Sequence, residues 1–326
     1  MTYVRTTFHS NIITIVRKTK DSRIFNDFDN PIGRGLDYNR RTKVKEKKCA
    51  MCKYCHEHGE GKKWYLQSKN YAQDLESDLK RRSLFDLKIL IKELKRWAEL
   101  KTAPFLVRAI QEPRVAERVR NMHFGQVLPI EDVEQVFGIV NNVVRLPCYC
   151  RAMGKVKEKR FCYGVSALPQ DDEAKRVASR PGMGFLSGAE TDGLEKVSKE
   201  EALDVFRQYE KEGLCHSIWT LMTPFVIGIC NCDRSDCRAI QRTVIRGMPI
   251  LFRAEYVAEL NPELCNGCRA CMRVCPFGAI GYSAGNKRAF IDIGRCYGCG
   301  ICRASCTKDA ITLRDRSSVP AVANVW

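Results

Sequence analysis

Two stretches near the C-terminus decide the fold: ELCNGCRACMRVCPFGAIGY at residues 263–282 and GRCYGCGICRASCTKDAITL at residues 294–313. They align without a gap thirty-one residues apart, and each carries four cysteines with the spacing C-x2-C-x2-C-x3-C. This spacing is typical of chains that bind [4Fe–4S] clusters through thiolates, whereas zinc sites favour two C-x2-C pairs separated by a longer span. The eight cysteines therefore predict two iron–sulfur clusters.

Small and apolar residues accompany both cysteine runs. Gly267 lies in the first run, and Gly298 and Gly300 lie in the second, where glycine lets the backbone curl tightly around an inorganic core. The Ala-Ile pairs at residues 279–280 and 310–311 supply apolar side chains that can pack against the clusters. Each half of the repeat is therefore predicted to contain a cysteine loop, a short helix and a short strand.

On the strength of these two runs, residues 253–316 resemble a bacterial-type 2[4Fe–4S] ferredoxin domain, within a larger multi-cluster iron–sulfur protein of the kind found in anaerobes. The resemblance implies that the fourth cysteine of each run crosses to the other cluster. The first cluster would be bound by Cys265, Cys268, Cys271 and Cys306, and the second by Cys296, Cys299, Cys302 and Cys275. The chain departs from the family pattern at Thr307, which stands where Pro276 follows the first run.

Six further cysteines lie between residues 148 and 237: Cys148, Cys150, Cys162, Cys230, Cys232 and Cys237. Sulfur-only ligand sets select zinc or iron–sulfur centres, and C-x-C pairs distant in sequence can meet in space. The set resembles an auxiliary module, C-x-C-R followed by a lone cysteine and C-N-C, that accompanies ferredoxin domains in proteins of anaerobes. We predict that four of the six bind a third cluster, with structural zinc as the alternative.

A third cysteine motif, C-x2-C-x2-C, lies near the N-terminus at Cys49, Cys52 and Cys55. A distant cysteine could complete a fourth [4Fe–4S] cluster, or His56 or His58 could complete a Cys3His zinc site, and both interpretations stay open. The overlapping C-x-x-C-H match to a haem attachment motif is set aside, because haem attachment needs export and no export signal is recognised.

The remaining cysteine and histidines are given no ligand role. Cys215 stands apart from the other cysteines and is expected to be a small, buried apolar side chain at the end of a helix. His9, His123 and His216 show no ligand or nucleophile spacing and are predicted to be structural.

The chain is basic, with 326 residues, eighteen cysteines and a formal net charge of +17. Each oxidised cluster with its four thiolates carries about −2, so two clusters would leave about +13. Because no nucleic-acid-binding motif accompanies the charge, we expect a basic docking face for an acidic redox partner rather than nucleic acid. Without an apolar leader or membrane span, the cysteine-rich chain is expected in the cytoplasm of an anaerobic or low-oxygen host.

The fold class predicted is α+β. Residues 1–104 form a basic arm, the C-x2-C-x2-C loop and an amphipathic helix over 75–101. Residues 105–250 form a cysteine-rich α/β middle domain, 251–316 a pseudo-twofold 2[4Fe–4S] ferredoxin-like domain, and 317–326 a tail. Within the middle domain, apolar spacing predicts a helix from about residue 130, a capping box predicts a second helix over 198–209, and residues 224–230 predict a buried strand.

These features together predict a cytoplasmic electron-transfer protein that relays single low-potential electrons through several [4Fe–4S] clusters, as a subunit or partner of a larger redox complex. The chain lacks a Walker-type phosphate loop, a G-x-G-x-x-G turn and the C-x3-C-x2-C loop of radical-SAM enzymes, so no nucleotide site is expected. An electron carrier or oxidoreductase subunit is favoured over a stand-alone enzyme. The alternatives are a redox or oxygen sensor that binds nucleic acid, and an iron–sulfur enzyme or enzyme activator with an open-site cluster.

Overall fold

The computed structural model describes residues 63–71, 87–152, 161–167, 194–220, 225–248 and 250–325. All of them belong to one compact unit, Val44–Trp326. The predicted N-terminal metal site lies outside the described residues, as do its cysteines and neighbouring histidines: Cys49, Cys52, Cys55, His56 and His58.

Two helices, α1 (Leu87–Leu100) and α2 (Phe105–Met122), pack against each other ahead of the sheet. Helix α1 ends before Pro104 as predicted, while residues 75–86 of the predicted helix reach into the part of the chain that is not described. The sequence does not predict helix α2, because Pro113 lies inside it and a proline in a helix interior costs about 3 kcal/mol. Among the described helices, none is long and apolar enough to cross a membrane.

A mixed sheet organises the middle of the chain, and seven strands are assigned to it within the described residues, in the order β4-β2-β3-β6-β5-β1-β7. The strands are β1 (Gly125–Leu128), β2 (Asn142–Leu146), β3 (Cys162–Ser166), β4 (Glu195–Val197), β5 (Cys215–Thr220), β6 (Val226–Cys232) and β7 (Leu251–Phe252). Strands β1 and β7 are parallel, and the other neighbouring pairs are antiparallel. Strand β6 covers most of the strand predicted over 224–230.

Helices α3 (Ile130–Ile139) and α5 (Lys199–Lys211) bury their apolar sides in the core of the sheet. Both were predicted: Val133 and Val136 of α3 are fully buried, and the capping box of α5 forms through reciprocal bonds between Ser198 and Glu201. The short helices α4 (Tyr149–Ala152) and α6 (Arg238–Ile240) each follow a cysteine of the middle domain.

The C-terminal segment forms two short antiparallel strand pairs around the cysteine runs. Strand β8 (Tyr256–Leu260) pairs with β11 (Ile311–Asp315), and β9 (Ile280–Ser283) pairs with β10 (Arg288–Ile291). Helix α7 (Ala270–Val274) lies in the first run and α8 (Ile301–Ala304) in the second. The predicted succession of loop, short helix and short strand is therefore confirmed in both halves.

The second half of this segment packs against the middle sheet. Arg303 of α8 pairs with Glu131 of α3 at 2.6 Å and approaches Glu210 of α5 at 3.9 Å. Cys299 and Ile301 pack in one buried group of side chains with Cys215, Cys232 and Cys237 of the middle domain. The fold therefore brings two groups of cysteines from distant parts of the sequence against each other.

Candidate metal centres

Four cysteines from both runs line a first cavity of about 310 Å³ that is partly open to solvent: Cys265, Cys268, Cys271 and Cys306. Leu260, Ala289 and Ile311 supply apolar walls. Cys268 is exposed, and Asn266 and Lys308, which are also exposed, complete the rim. The fold thus places Cys306 beside the first run, as the ferredoxin resemblance implies.

The other four cysteines line a second cavity of about 330 Å³, also partly open to solvent: Cys275, Cys296, Cys299 and Cys302. The three cysteines of the second run are buried, and Cys275 is half-buried. Phe277 and Tyr297 also line this cavity, and their rings stack with centroids 3.9 Å apart. This cavity has an aromatic wall where the first has Lys308 and Asn266.

The main chain around both cavities fits a cluster bound by thiolates. The N–H groups of Ala258 and Gly298 donate to Cys296 Sγ over 3.3 and 3.4 Å, and such bonds stabilise a thiolate. Gly267 and Gly298 both have φ of +71°, and a Cβ there would lie 2.2 Å from Lys287 O and 2.1 Å from Tyr256 O. The tight loops predicted at these glycines are present, and the donor sets suit [4Fe–4S] cores.

The four thiols of the second cavity disfavour ionisation in their buried surroundings. Burial, followed by the neighbouring thiols of Cys299 and Cys296, raises the pKa of Cys302 well above its ordinary value. Four adjacent thiols can ionise together when a cationic core compensates their charge, because a metal reverses the electrostatics of its ligands. The four cysteines that line this cavity are a donor set that fits an iron–sulfur cluster.

The six cysteines of the middle domain converge in what we call the six-cysteine ring. Cys162 of β3 lies opposite Cys230 of β6, with their Sγ atoms 3.2 Å apart. Side-chain contacts join the thiols in the order Cys148, Cys162, Cys230, Cys232, Cys237, Cys150 and back to Cys148. All six thus meet in one place, and the choice of four ligands stays a prediction.

Neighbouring thiols shift one another's pKa within the six-cysteine ring. Contacts with Cys148 and Cys237 lower the pKa of Cys150, and contacts with Cys162 and Cys232 lower the pKa of Cys230. Thiolates are the form that binds metal. Within the described residues, no group of three or more His, Cys, Asp or Glu side chains is arranged as a site for a single metal ion.

Arg151, the arginine of the C-x-C-R motif, holds the six-cysteine ring together. Its guanidinium donates to Asp233 over 2.6 Å and to Asp236 over 2.7 Å, and it lies over the ring of Phe161. These bonds fasten the segment of Cys148 and Cys150 to the loop between Cys232 and Cys237. The C-x-C-R motif does not reveal this role, since the partners of Arg151 lie more than eighty residues away.

Cys215 lies between the six-cysteine ring and the second cavity. It is fully buried, as predicted, but it opens strand β5 rather than ending a helix. In the sheet it is paired with Cys232 of the ring, and its thiol contacts that of Cys299. Nothing in the sequence pattern signals this position, which depends on strand pairing.

Two of the three histidines predicted to be structural are described. The Nδ1 atom of His216 is 2.7 Å from Asn231 Oδ1, and burial lowers the pKa of His216 to about 4. The Nδ1 atom of His123 is 2.6 Å from Thr220 O. His9 lies outside the described residues.

Part of this chain is similar to known proteins. Residues 264–311 match a family described as the 4Fe-4S dicluster domain. Two proteins named archaeal-type glutamate synthase [NADPH], from Thermotoga sp. (strain RQ2) and Thermotoga maritima, are each 40% identical over 60 residues. That match covers 18% of this chain and 12% of either relative. The C-terminal segment is therefore a 4Fe–4S domain of ferredoxin type.

Proposed function

We propose that this chain relays single electrons between a protein partner and an interior metal centre, as a subunit or partner of a larger redox complex. The observation that carries the proposal is the continuity of the cysteine sites. The first cavity, with its exposed Cys268, and the second, with its three buried cysteines, lie in one segment, and Cys299 of the second contacts Cys215, which is paired with Cys232 of the six-cysteine ring. A chain of adjacent redox centres, from surface to interior, is what electron relay requires.

Each proposed site has its own ligands and surroundings. The first cluster would be held by Cys265, Cys268, Cys271 and Cys306, the second by Cys275, Cys296, Cys299 and Cys302, and a third by four thiols of the six-cysteine ring. When bound, the clusters supply reversible one-electron chemistry. The protein orients the thiolates through its tight loops, donates N–H bonds to sulfur and lines the second cavity with the aromatic rings of Phe277 and Tyr297.

The rim of the first cavity suits an acidic electron-transfer partner. Cys268 is exposed there, and the exposed cations Arg269, Arg273 and Lys308 lie in or next to the two cysteine runs. Leu264, with 50% of its surface exposed, adds an apolar contact beside them. A positive rim around an exposed redox site attracts a partner with a complementary negative face.

The relatives support a role inside a larger oxidoreductase. Both are named as glutamate synthases that use NADPH, and the segment shared with this chain is a small part of them. In this chain the same kind of segment is joined to the sheet that holds the six-cysteine ring. This arrangement favours delivery of electrons to or from another component over a reaction on a small substrate.

The proposal is tested by metal analysis and spectroscopy of the full chain, purified without oxygen. We expect at least about eight irons per chain, from two cubane clusters, and a broad absorbance that dithionite bleaches and mild oxidation restores. Additional iron would indicate occupancy of the six-cysteine ring or of the N-terminal site. An iron content near zero with stoichiometric zinc would contradict the proposal.

A further inference from the structure

Arg316 is a buried cation behind the second cysteine run. Only 1% of its surface is exposed. Its Nε donates to Ala254 O over 2.8 Å, and its Nη2 donates to Tyr256 O over 2.6 Å and to Cys296 O over 3.0 Å. These bonds fix the guanidinium against the loop that carries Cys296, a lining residue of the second cavity.

Among the described residues, no carboxylate forms an ion pair with Arg316. Its hydrogen bonds go to main-chain carbonyls, and in the described part of the chain its Nη1 is buried without a hydrogen-bond partner. The charge of Glu255 attracts Arg316, and Glu255 Oε1 accepts a hydrogen bond from the main-chain N–H of Lys63. A buried cation is costly without a compensating negative charge, so this position calls for an anion.

We infer that Arg316 sets the reduction potential of the second cluster, by holding a buried positive charge against the loop of Cys296. The inference rests on the proposed function, because it needs a cluster at Cys275, Cys296, Cys299 and Cys302. Such a cluster with its thiolates carries about −2 when oxidised and about −3 after gaining one electron. A nearby cation stabilises the reduced form more than the oxidised form and therefore makes the cluster easier to reduce.

The repeat itself provides an internal comparison. In the alignment of the two halves, Gly285 occupies the position that corresponds to Arg316, and it lies in the exposed turn between β9 and β10. The first cluster therefore has no buried cation at the matching position. The first cavity has a cation of its own, Arg269, which aligns with Gly300 in the second half of the repeat. Arg269 is exposed, however, so water and salt screen its charge. Arg316 thus acts on one cluster of the two.

The charge of Arg316 offsets the effect of buried ligands on the reduction potential of the second cluster. Burial of Cys296, Cys299 and Cys302 beside the rings of Phe277 and Tyr297 disfavours the more negative, reduced cluster. A cation held in the same low-dielectric surroundings counteracts that penalty, since its attraction is weakly screened there. We therefore expect the potentials of the two clusters to stay close enough for electrons to pass in both directions.

The test is a redox titration of the full-length holoprotein, followed by electron paramagnetic resonance, for R316M, R316Q and R316K. R316M keeps most of the volume and removes the charge. At a fixed potential we expect at least a tenfold lower ratio of reduced to oxidised second cluster, which is 59 mV for a one-electron couple. R316Q should behave alike, and R316K should recover most of the wild-type value. R314Q is the matched control, because Arg314 is an exposed cation two residues earlier in the chain, on strand β11, and is paired with Glu259.

The outcomes separate this inference from the proposed function. A wild-type protein without iron would contradict the proposed function, whereas iron-loaded R316M with unchanged potentials would overturn the role of Arg316. Should R316M and R316Q fail to fold with iron, E255Q decides. It removes a nearby carboxylate and should make the second cluster about threefold easier to reduce. An unchanged potential in E255Q would likewise overturn the inference. Titration in a Cys268→Ala background, which alters the first cluster, assigns the shifted signal.

Discussion

The two cysteine runs share their spacing but differ in their surroundings. Cys268 in the first run is exposed, whereas its counterpart Cys299 in the second run is buried. Lys308 stands at the rim of the first cavity, and its counterpart in the repeat, Phe277, stacks on Tyr297 over the second. One ligand pattern has thus been built into a site with an exposed cysteine and polar rim residues, here called the wet site, and a site with buried cysteines and an aromatic wall, here called the dry site. Since solvent exposure and nearby charge tune a cluster's potential, clusters bound at the two sites would differ in potential.

The difference comes from what each half packs against. The second run contacts the middle sheet, where Cys299 and Ile301 pack in one buried group of side chains with Cys215 and Cys232. The first run faces solvent with Arg269 and its neighbours. An electron relay benefits from this arrangement, because the wet end can meet a partner and the dry end can meet the interior.

The largest effect is expected from replacing the fourth cysteine of either run. Cys306→Ala should remove or alter the cluster of Cys265, Cys268 and Cys271, which lowers the iron content by up to about four per chain. Cys275→Ala should instead affect the second cluster, even though Cys275 belongs to the first run. Metal analysis with electron paramagnetic resonance separates the two results.

The control for both ligand variants is Cys215→Ala, which should keep the iron content of the wild type. Loss of iron from Cys215→Ala would mean that Cys215 is a ligand. A Cys306→Ala protein whose second cluster is altered while the first is intact would refute the crossed arrangement of ligands, and with it the comparison of two separate sites.

An intermediate effect is expected from swapping the rim residues of the two cavities. Phe277→Lys should open the second cavity to water and lower the free energy of unfolding by about 3 kcal/mol, because the ring is buried and stacked. Bleaching of the second cluster in air should then become faster, as measured by absorbance. The reciprocal change, Lys308→Phe, should slow bleaching of the first cluster. Equal bleaching rates for both clusters in the wild type would remove the distinction between wet and dry sites.

The smallest effect concerns the charge at the wet site. Lys308→Glu should slow reoxidation of the reduced protein by an acidic one-electron acceptor protein by roughly tenfold at low salt, because attraction at the rim is lost. Added salt should slow the wild type and leave Lys308→Glu nearly unaffected, since salt screens exposed charges. Stopped-flow absorbance measures both rates. Lys196→Glu, on a strand of the middle sheet, is the control, and an equal loss of rate there would indicate a general effect of net charge.

Local sequence signals predicted only part of the fold of the middle domain. Helix α5 was predicted because its capping box, Ser198 with Glu201, is a local device, and α3 because Val133 and Val136 mark one face. Strand β5 is buried along its whole length yet contains His216, which bonds to Asn231 across the sheet. Its polar residues find partners only after the strands pair, so periodicity could not reveal the strand.

The sequence by itself determined the two cysteine runs of the ferredoxin-type domain and the short helix and strand of each half. The physical reason is that ligand spacing and the glycines of a tight loop act within about twenty residues. Only the tertiary structure decided that the six middle cysteines meet, because strand pairing sets Cys162 opposite Cys230. The burial of Arg316 and the place of Cys215 were decided in the same way, since both depend on contacts between residues far apart in the chain.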